Sequence, residues 1–136
     1  MTTLEKVLPA YLAAWSEVDE EKRRALLEIC WAEQGVYSDP GAEAPGREAL
    51  LRHIGRVLRH FAGHRCLLTS GVEEHHNCIR FTWAMVSPDG KKVAEGIDFG
   101  ELGTDGRLVR ITGFFGPIPP PSPSWPADSM LPGLIR

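Results

Sequence analysis

Two aspartates stand where an apolar run has little use for them. Asp39 closes Val36-Tyr37-Ser38 just before Pro40, and Asp98 sits within Gly96-Ile97-Asp98-Phe99, about sixty residues later. Strands that build a core rarely carry Asp, because an unpaired buried charge is costly. A third polar group, Tyr11, falls on the apolar stripe of the first helical segment. Together they describe a polar site inside a hydrophobic cup. The chemistry open to such groups is removal of a proton next to a carbonyl. That reaction needs a base within reach and donors where the enolate oxygen develops. Tyr11 is a neutral donor, and Asp98 donates only where burial keeps it protonated.

Each group also has a plainer role. Tyr11 fits a core tyrosine with its hydroxyl tied to a neighbour. Asp39 fits a turn residue capping its own backbone before Pro40. Asp98 fits a structural ion pair with Arg80 or Arg110. His75 and His76 beside Glu73 and Glu74 read as a solvated turn, with no third metal ligand at useful spacing.

The elements that position these groups change character near residue 64. Before it the periodicity is helical. Leu4, Val7, Leu8, Tyr11, Leu12, Trp15 and Val18 form one apolar stripe, with Thr2 and Glu5 spaced as a capping box. Pro9 either kinks this helix or lies in its first turn, the regular part then starting near Leu8. Asp19 caps a second helix running to about Trp31, with Leu26, Leu27, Ile29 and Cys30 toward the core and Gly35 ending it. A short strand, Val36 to Ser38, precedes a loop holding Gly41 and Pro45. A third helix opens near Gly46 or Arg47 and stops at Gly63. Leu50, Leu51, Ile54, Leu58 and Phe61 face inward, and Arg52, Arg56 and Arg59 face water. From His64 the period is two, predicting strands at 65–73, 78–87, 91–102 and 107–115. Pro88-Asp89-Gly90 and Thr104-Asp105-Gly106 are hairpin turns. Helices first and an antiparallel meander second is the α+β pattern.

By alternation, Asp98 shares a strand face with Ala94, Gly96 and Gly100, whose small side chains leave space above the sheet. Ile79, Phe81, Trp83 and Met85 share another face, which lines either the cavity or a dimer interface. Phe114 and Phe115 put one ring on each face of the last strand, so one of them lines the cup.

Residues 117–136 are a different material. The stretch from Gly116 to Arg136 holds seven of the chain's eleven prolines, which excludes a helix or central strand and favours polyproline II. Trp125, Met130, Leu131 and Leu134 give this tail something to dock with, on the domain or on a partner subunit.

At 136 residues and 43% hydrophobic content, the chain fits one domain with a real core. A net charge of -3 provides no basic footprint for nucleic acid. No apolar run reaches the roughly 20 residues that span a bilayer. Three cysteines, Cys30, Cys66 and Cys78, without a C-x-x-C pair read as reduced thiols of a cytoplasmic protein, a Cys66–Cys78 cross-strand bridge being the other arrangement open to them.

The order of elements carries a resemblance. Tyr37-x-Asp39-Pro40 follows helix two, Gly46-Arg47-Glu48-Ala49-Leu50 opens helix three, and Asp105-Gly106-Arg107-Leu108 precedes the last strand. Over roughly residues 4–116 the chain resembles the NTF2-like superfamily, in particular the SnoaL-like polyketide cyclases and the ketosteroid isomerases. The resemblance implies residues 1–116 as one NTF2-like cone, three N-terminal helices packed in a strongly curved antiparallel sheet. It also implies a ligand cavity at the open end and a homodimer through the outer sheet face. It matches Asp39 to a general base, and Tyr11 and a protonated Asp98 to an oxyanion hole; the ketosteroid isomerase arrangement is itself a standard worked case. Trp15, Trp83, Phe114 and Phe115 are then ligand-binding candidates for a small apolar oxygenated molecule, with no cofactor and no metal. A limonene-epoxide hydrolase needs an Arg two residues before the strand Asp, where this chain has Gly96. A scytalone dehydratase needs two cavity histidines, which His75 and His76, in a turn, do not supply. A non-catalytic ligand-binding or dimeric scaffold domain is the alternative within the same fold.

Overall fold

The computed structural model describes residues 2–127. Three helices come first: α1 (Thr3–Ala14), α2 (Glu20–Cys30) and, after a hairpin, α3 (Arg47–His60). The strands are β1 (Trp31–Asp39), β2 (Ala42–Pro45), β3 (Arg65–Leu68), β4 (Glu73–His75), β5 (Cys78–Val86), β6 (Lys92–Leu102) and β7 (Leu108–Phe115). They form one curved, unclosed sheet in the order β2-β1-β7-β6-β5-β3, with β4 also on β5. All pairings are antiparallel except β1 with β7, so the α+β cone carries a mixed sheet. The parallel pair brings the end of β1, and Asp39 with it, alongside the last strand.

Local sequence explains most boundaries. Thr2 and Glu5 form the reciprocal capping box of α1, and the Asp19 side chain accepts from the Lys22 N–H at the start of α2. Pro9 lies inside α1 without ending it. The helix closes at Ala14, so Val18 belongs to the linker and stands exposed instead of extending the apolar stripe. Ile29 also points to solvent, a correction to its expected inward face.

Three expectations about the middle of the chain are corrected. α2 stops at Cys30 because Trp31 turns extended (φ -122, ψ 125) and buries its ring completely. Gly35 therefore lies within β1, where a Cβ would stand 2.6 Å from the Trp31 indole nitrogen. The expected loop at 41–45 is the edge strand β2, whose Pro45 is tolerated there because an edge strand has free N–H positions. The segment 65–73 breaks into β3 and β4 around Thr69–Val72, where the Ser70 hydroxyl takes over the Thr82 N–H.

The core lies between the helices and the concave sheet face. Leu27, Trp31, Leu50, Ile54, Leu108 and Ile111 are wholly buried there, each stabilising the fold by about 1.5–3 kcal/mol. Arg23 is buried too, held by the carbonyls of Glu17, Val18 and Leu51. The three cysteines are free thiols. Cys66 lies opposite Met85 and Cys78 opposite Glu101, so no cross-strand bridge joins them. In the described part of the tail, Ile118 is 84% and Trp125 71% exposed, so neither docks on this chain. Met130, Leu131 and Leu134 lie outside the described residues. Among the described residues, no helix is long and apolar enough to cross a membrane.

Candidate active site

A cavity of about 620 Å³ opens between the helices and the concave face of the sheet. Its wall includes Tyr11, Trp15, Asp39, Trp83, Asp98 and Phe115, six of the seven residues singled out from the sequence. Phe114 is the exception. It is 54% exposed on the outer sheet face, where its ring meets Phe99 edge-on at 6.2 Å. Phe115 is the member of the pair that turns inward and meets the Trp83 ring at 5.9 Å.

Asp39 is held from two sides. The Tyr37 hydroxyl, two residues back on the same strand face, donates to one carboxyl oxygen at 2.5 Å. The Gly41 N–H donates to the other at 2.7 Å and tightens the turn into β2. The two bonds fix the orientation of the carboxyl group. In return, burial and the Asp39 charge push the Tyr37 hydroxyl far above its ordinary pKa, so it stays a donor.

Asp98 has the opposite environment. It is 6% exposed, and among the described residues its one hydrogen bond comes from the Trp83 indole N–H at 3.0 Å. Gly96 makes that contact possible. It lies opposite Trp83 in the β5–β6 register, and a Cβ there would stand 2.7 Å from the indole ring. At Gly100 a Cβ would meet Ile79 and Ile111, both at 2.9 Å. The small residues flanking Asp98 thus admit close packing, which corrects the expectation that they leave space. Neither arginine reaches the acid: Arg80 pairs with Glu73, and Arg110 with Glu101 at 3.6 Å. Burial, with the Asp39 charge adding to it and the Trp83 bond opposing, lifts the Asp98 pKa to about 7.

Tyr11 stacks on Trp31 at 5.7 Å and meets Trp15 edge-on at 6.5 Å. Burial, then the charge of Asp98, hold its hydroxyl protonated well above the ordinary range. The cavity therefore combines one anchored carboxylate, one carboxyl poised near neutrality and a phenol that stays a donor. That set can accept a proton at one point while donating hydrogen bonds at another. Among the described residues, no group of three or more His, Cys, Asp or Glu side chains is placed to hold a metal ion.

Tyr37 and His53 are among the wall residues not singled out from the sequence. Tyr37 was legible from strand alternation, since it must share a face with Asp39. His53 sits on α3 with Val57 and Phe61 at i+4 and i+8, all three on the cavity wall. That spacing was visible, but His53 stands beside the arginine stripe and passes for part of it.

Comparison with known proteins agrees with this architecture. The model of the SnoaL-like domain matches residues 9–111. A SnoaL-like family protein from Agrobacterium tumefaciens strain C58 is 38% identical, with a TM-score of 0.79 over 86% of this chain and 100% of its own. An NTF2-like protein of unknown function from Exiguobacterium sp. 255-15 shares the fold at 20% identity, with a TM-score of 0.64 over 86% of this chain and 100% of its own. A protein of cystatin-like fold from Methylobium petroleophilum PM1 does so at 17% identity, with a TM-score of 0.69 over 87% of this chain and 78% of its own. Among curated proteins none matches.

Proposed function

The chain belongs to the SnoaL-like family, and from that premise we propose that it is a small-molecule enzyme of cofactor-free proton transfer next to a carbonyl, as in isomerisation or cyclisation. The substrate is an apolar oxygenated molecule held in the cavity. Asp39 takes the proton from carbon. The C–H electron pair becomes the enolate double bond, and the carbonyl electrons move onto oxygen. Tyr11 and protonated Asp98 donate to that oxygen as its charge develops. Return of the proton to another carbon gives isomerisation; attack of the enolate on a second carbonyl, with the proton from Asp39 passing to the new alkoxide oxygen, gives cyclisation.

The observation that carries this reading is Asp98: a buried carboxyl on a cavity wall, with no arginine paired to it among the described residues and its pKa lifted to about 7. The Agrobacterium relative bears an isomerase designation that is itself unproven.

The test is hydrogen exchange at C1 of 2-tetralone in D2O, followed by proton NMR. Wild-type protein accelerates the exchange, and Asp39→Asn lowers the rate about 10²–10⁴-fold, the usual contribution of a positioned base. Circular dichroism confirms that the variant is folded. An unchanged rate in Asp39→Asn removes Asp39 from the mechanism. A wild-type protein that binds the ketone without exchanging it is a binding module.

The same reading brings a homodimer with it. Phe99 and Phe114 are exposed side by side on the convex sheet face, the surface a second copy of this chain would cover.

A further inference from the structure

Most polar groups on the cavity wall are already engaged. Tyr37 and Gly41 bind Asp39, Trp83 binds Asp98, and Lys92 and Glu95 pair at 2.7 Å near the start of β6. Tyr11 and Asp98 are assigned above to the reacting carbonyl. Apart from the Trp15 indole and the weakly bonding Cys66 thiol, His53 is the remainder. Its ring is half-buried against Trp15 at 5.8 Å and Tyr37 at 5.6 Å, and neither ring nitrogen has a protein hydrogen-bond partner among the described residues. It is also the one polar side chain that α3 turns to the cavity, next to Val57 and Phe61.

A phenylalanine would fill that slot between two aromatic rings without the cost of desolvating an imidazole. The charges that reach His53 are Asp39 from β1 and Arg56 from the next turn of α3; α1 contributes only Trp15. Burial and Arg56 outweigh Asp39 and hold its pKa below the ordinary value. The ring is therefore neutral at pH 7 and offers one donor and one acceptor.

We propose that His53 is the second polar anchor of the cavity, a specificity-determining residue that hydrogen-bonds a hydroxyl or carbonyl oxygen on the side of the substrate facing Asp39. The substrate class is then a flat ring ketone with a second oxygen function, not a ketone on an otherwise hydrocarbon frame. The inference rests on the assignment of Tyr11 and Asp98 to the reacting carbonyl.

Titration calorimetry with 2-tetralone and its four ring-hydroxylated isomers tests this. At least one hydroxylated compound binds wild-type protein about three- to tenfold more tightly than 2-tetralone, the worth of one neutral hydrogen bond. His53→Phe abolishes that preference, read as the ratio of the hydroxylated compound's affinity to that of 2-tetralone. His53→Gln, which keeps a donor and an acceptor, restores part of it. In unmodified protein, the His53 ring nitrogens shift in ¹⁵N NMR with the preferred compound and not with 2-tetralone. A preference that survives in His53→Phe overturns the proposal, as does the absence of any preferred or bound hydroxylated compound. Loss of C1 exchange with a His53-dependent preference intact would instead overturn the proton-transfer reading alone.

Discussion

Asp39 and Asp98 face each other across a missing side chain. Gly113 on β7 lies opposite Asp98 in the β6–β7 register, and its parallel partner β1 carries Asp39 alongside. A Cβ at position 113 would stand 2.8 Å from an Asp98 carboxyl oxygen and 3.7 Å from the Asp39 Cβ. The two acids thus form one row over three strands, with the glycine as the gap between them. The charge of Asp39 adds to burial in raising the Asp98 pKa. A methyl at 113 would press on Asp98 and make only ordinary contact with Asp39.

Gly113→Ala tests that gap. The new methyl pushes the Asp98 carboxyl away from its Trp83 bond and displaces it from the donor position. The expected result is a loss of C1 exchange of at least tenfold, the scale of a misplaced oxyanion donor. Overpacking also lowers stability by about 1–3 kcal/mol. Exchange rate and urea midpoint measured on the same preparation check it. Full activity in a folded variant would mean that Asp98 has room to spare and that its position is not set by residue 113.

Tyr37→Phe separates anchoring from packing. The ring contacts to Trp15 and His53 remain, and only the hydroxyl bond to Asp39 goes. A hydrogen bond to a charged acceptor is worth about 1.5–3 kcal/mol. If that bond aims the base, kcat for exchange falls about 10- to 100-fold while KM for 2-tetralone stays nearly constant. A change in KM alone would assign Tyr37 to binding.

The sequence carried the local parts of this arrangement well and the non-local parts poorly. The capping box at Thr2 and Glu5, and the turns at Gly90 and Gly106 with φ of +87 and +85, are decided by a few adjacent residues. Asp39, Tyr11 and Asp98 were conspicuous because acids and phenols are costly on apolar faces. Gly113 was not, because its role exists only once β1 pairs parallel with β7, a contact that no short window encodes. Gly96 was conspicuous but misread: alternation placed it beside Asp98, and only strand register shows that Trp83 fills the space. Phe114 and Phe115 could be sorted to opposite faces by alternation, but not assigned inside or outside.

The exposed Phe99–Phe114 pair predicts assembly. If a second copy covers this face, wild-type protein sediments as a dimer, and Phe114→Glu shifts it to monomer by placing a charge in an apolar contact. Phe115, one residue along and on the other side of the sheet, provides the control. Phe115→Leu leaves the sedimentation unchanged, because its ring faces the cavity. A wild-type monomer at tens of micromolar would leave the outer face to some other partner.

The lifted pKa of Asp98 makes stability depend on pH with a definite sign. The unfolded value is near 3.8 and the native value about 7. Between them the native state holds a proton that the unfolded chain has released, so stability declines as pH rises through that window. Each unit of difference is worth about 1.36 kcal/mol, so the buried acid costs the fold on the order of 4 kcal/mol by pH 8. Asp98→Asn keeps the shape and an acceptor for Trp83 but cannot ionise. Urea unfolding at pH 5 and pH 8 should show wild-type protein losing stability over that interval and Asp98→Asn losing much less. The variant should be the more stable of the two at pH 8 while C1 exchange falls. Parallel pH dependence in both proteins would mean that Asp98 ionises as readily in the folded chain as in the unfolded one, and it would then be no donor at neutral pH.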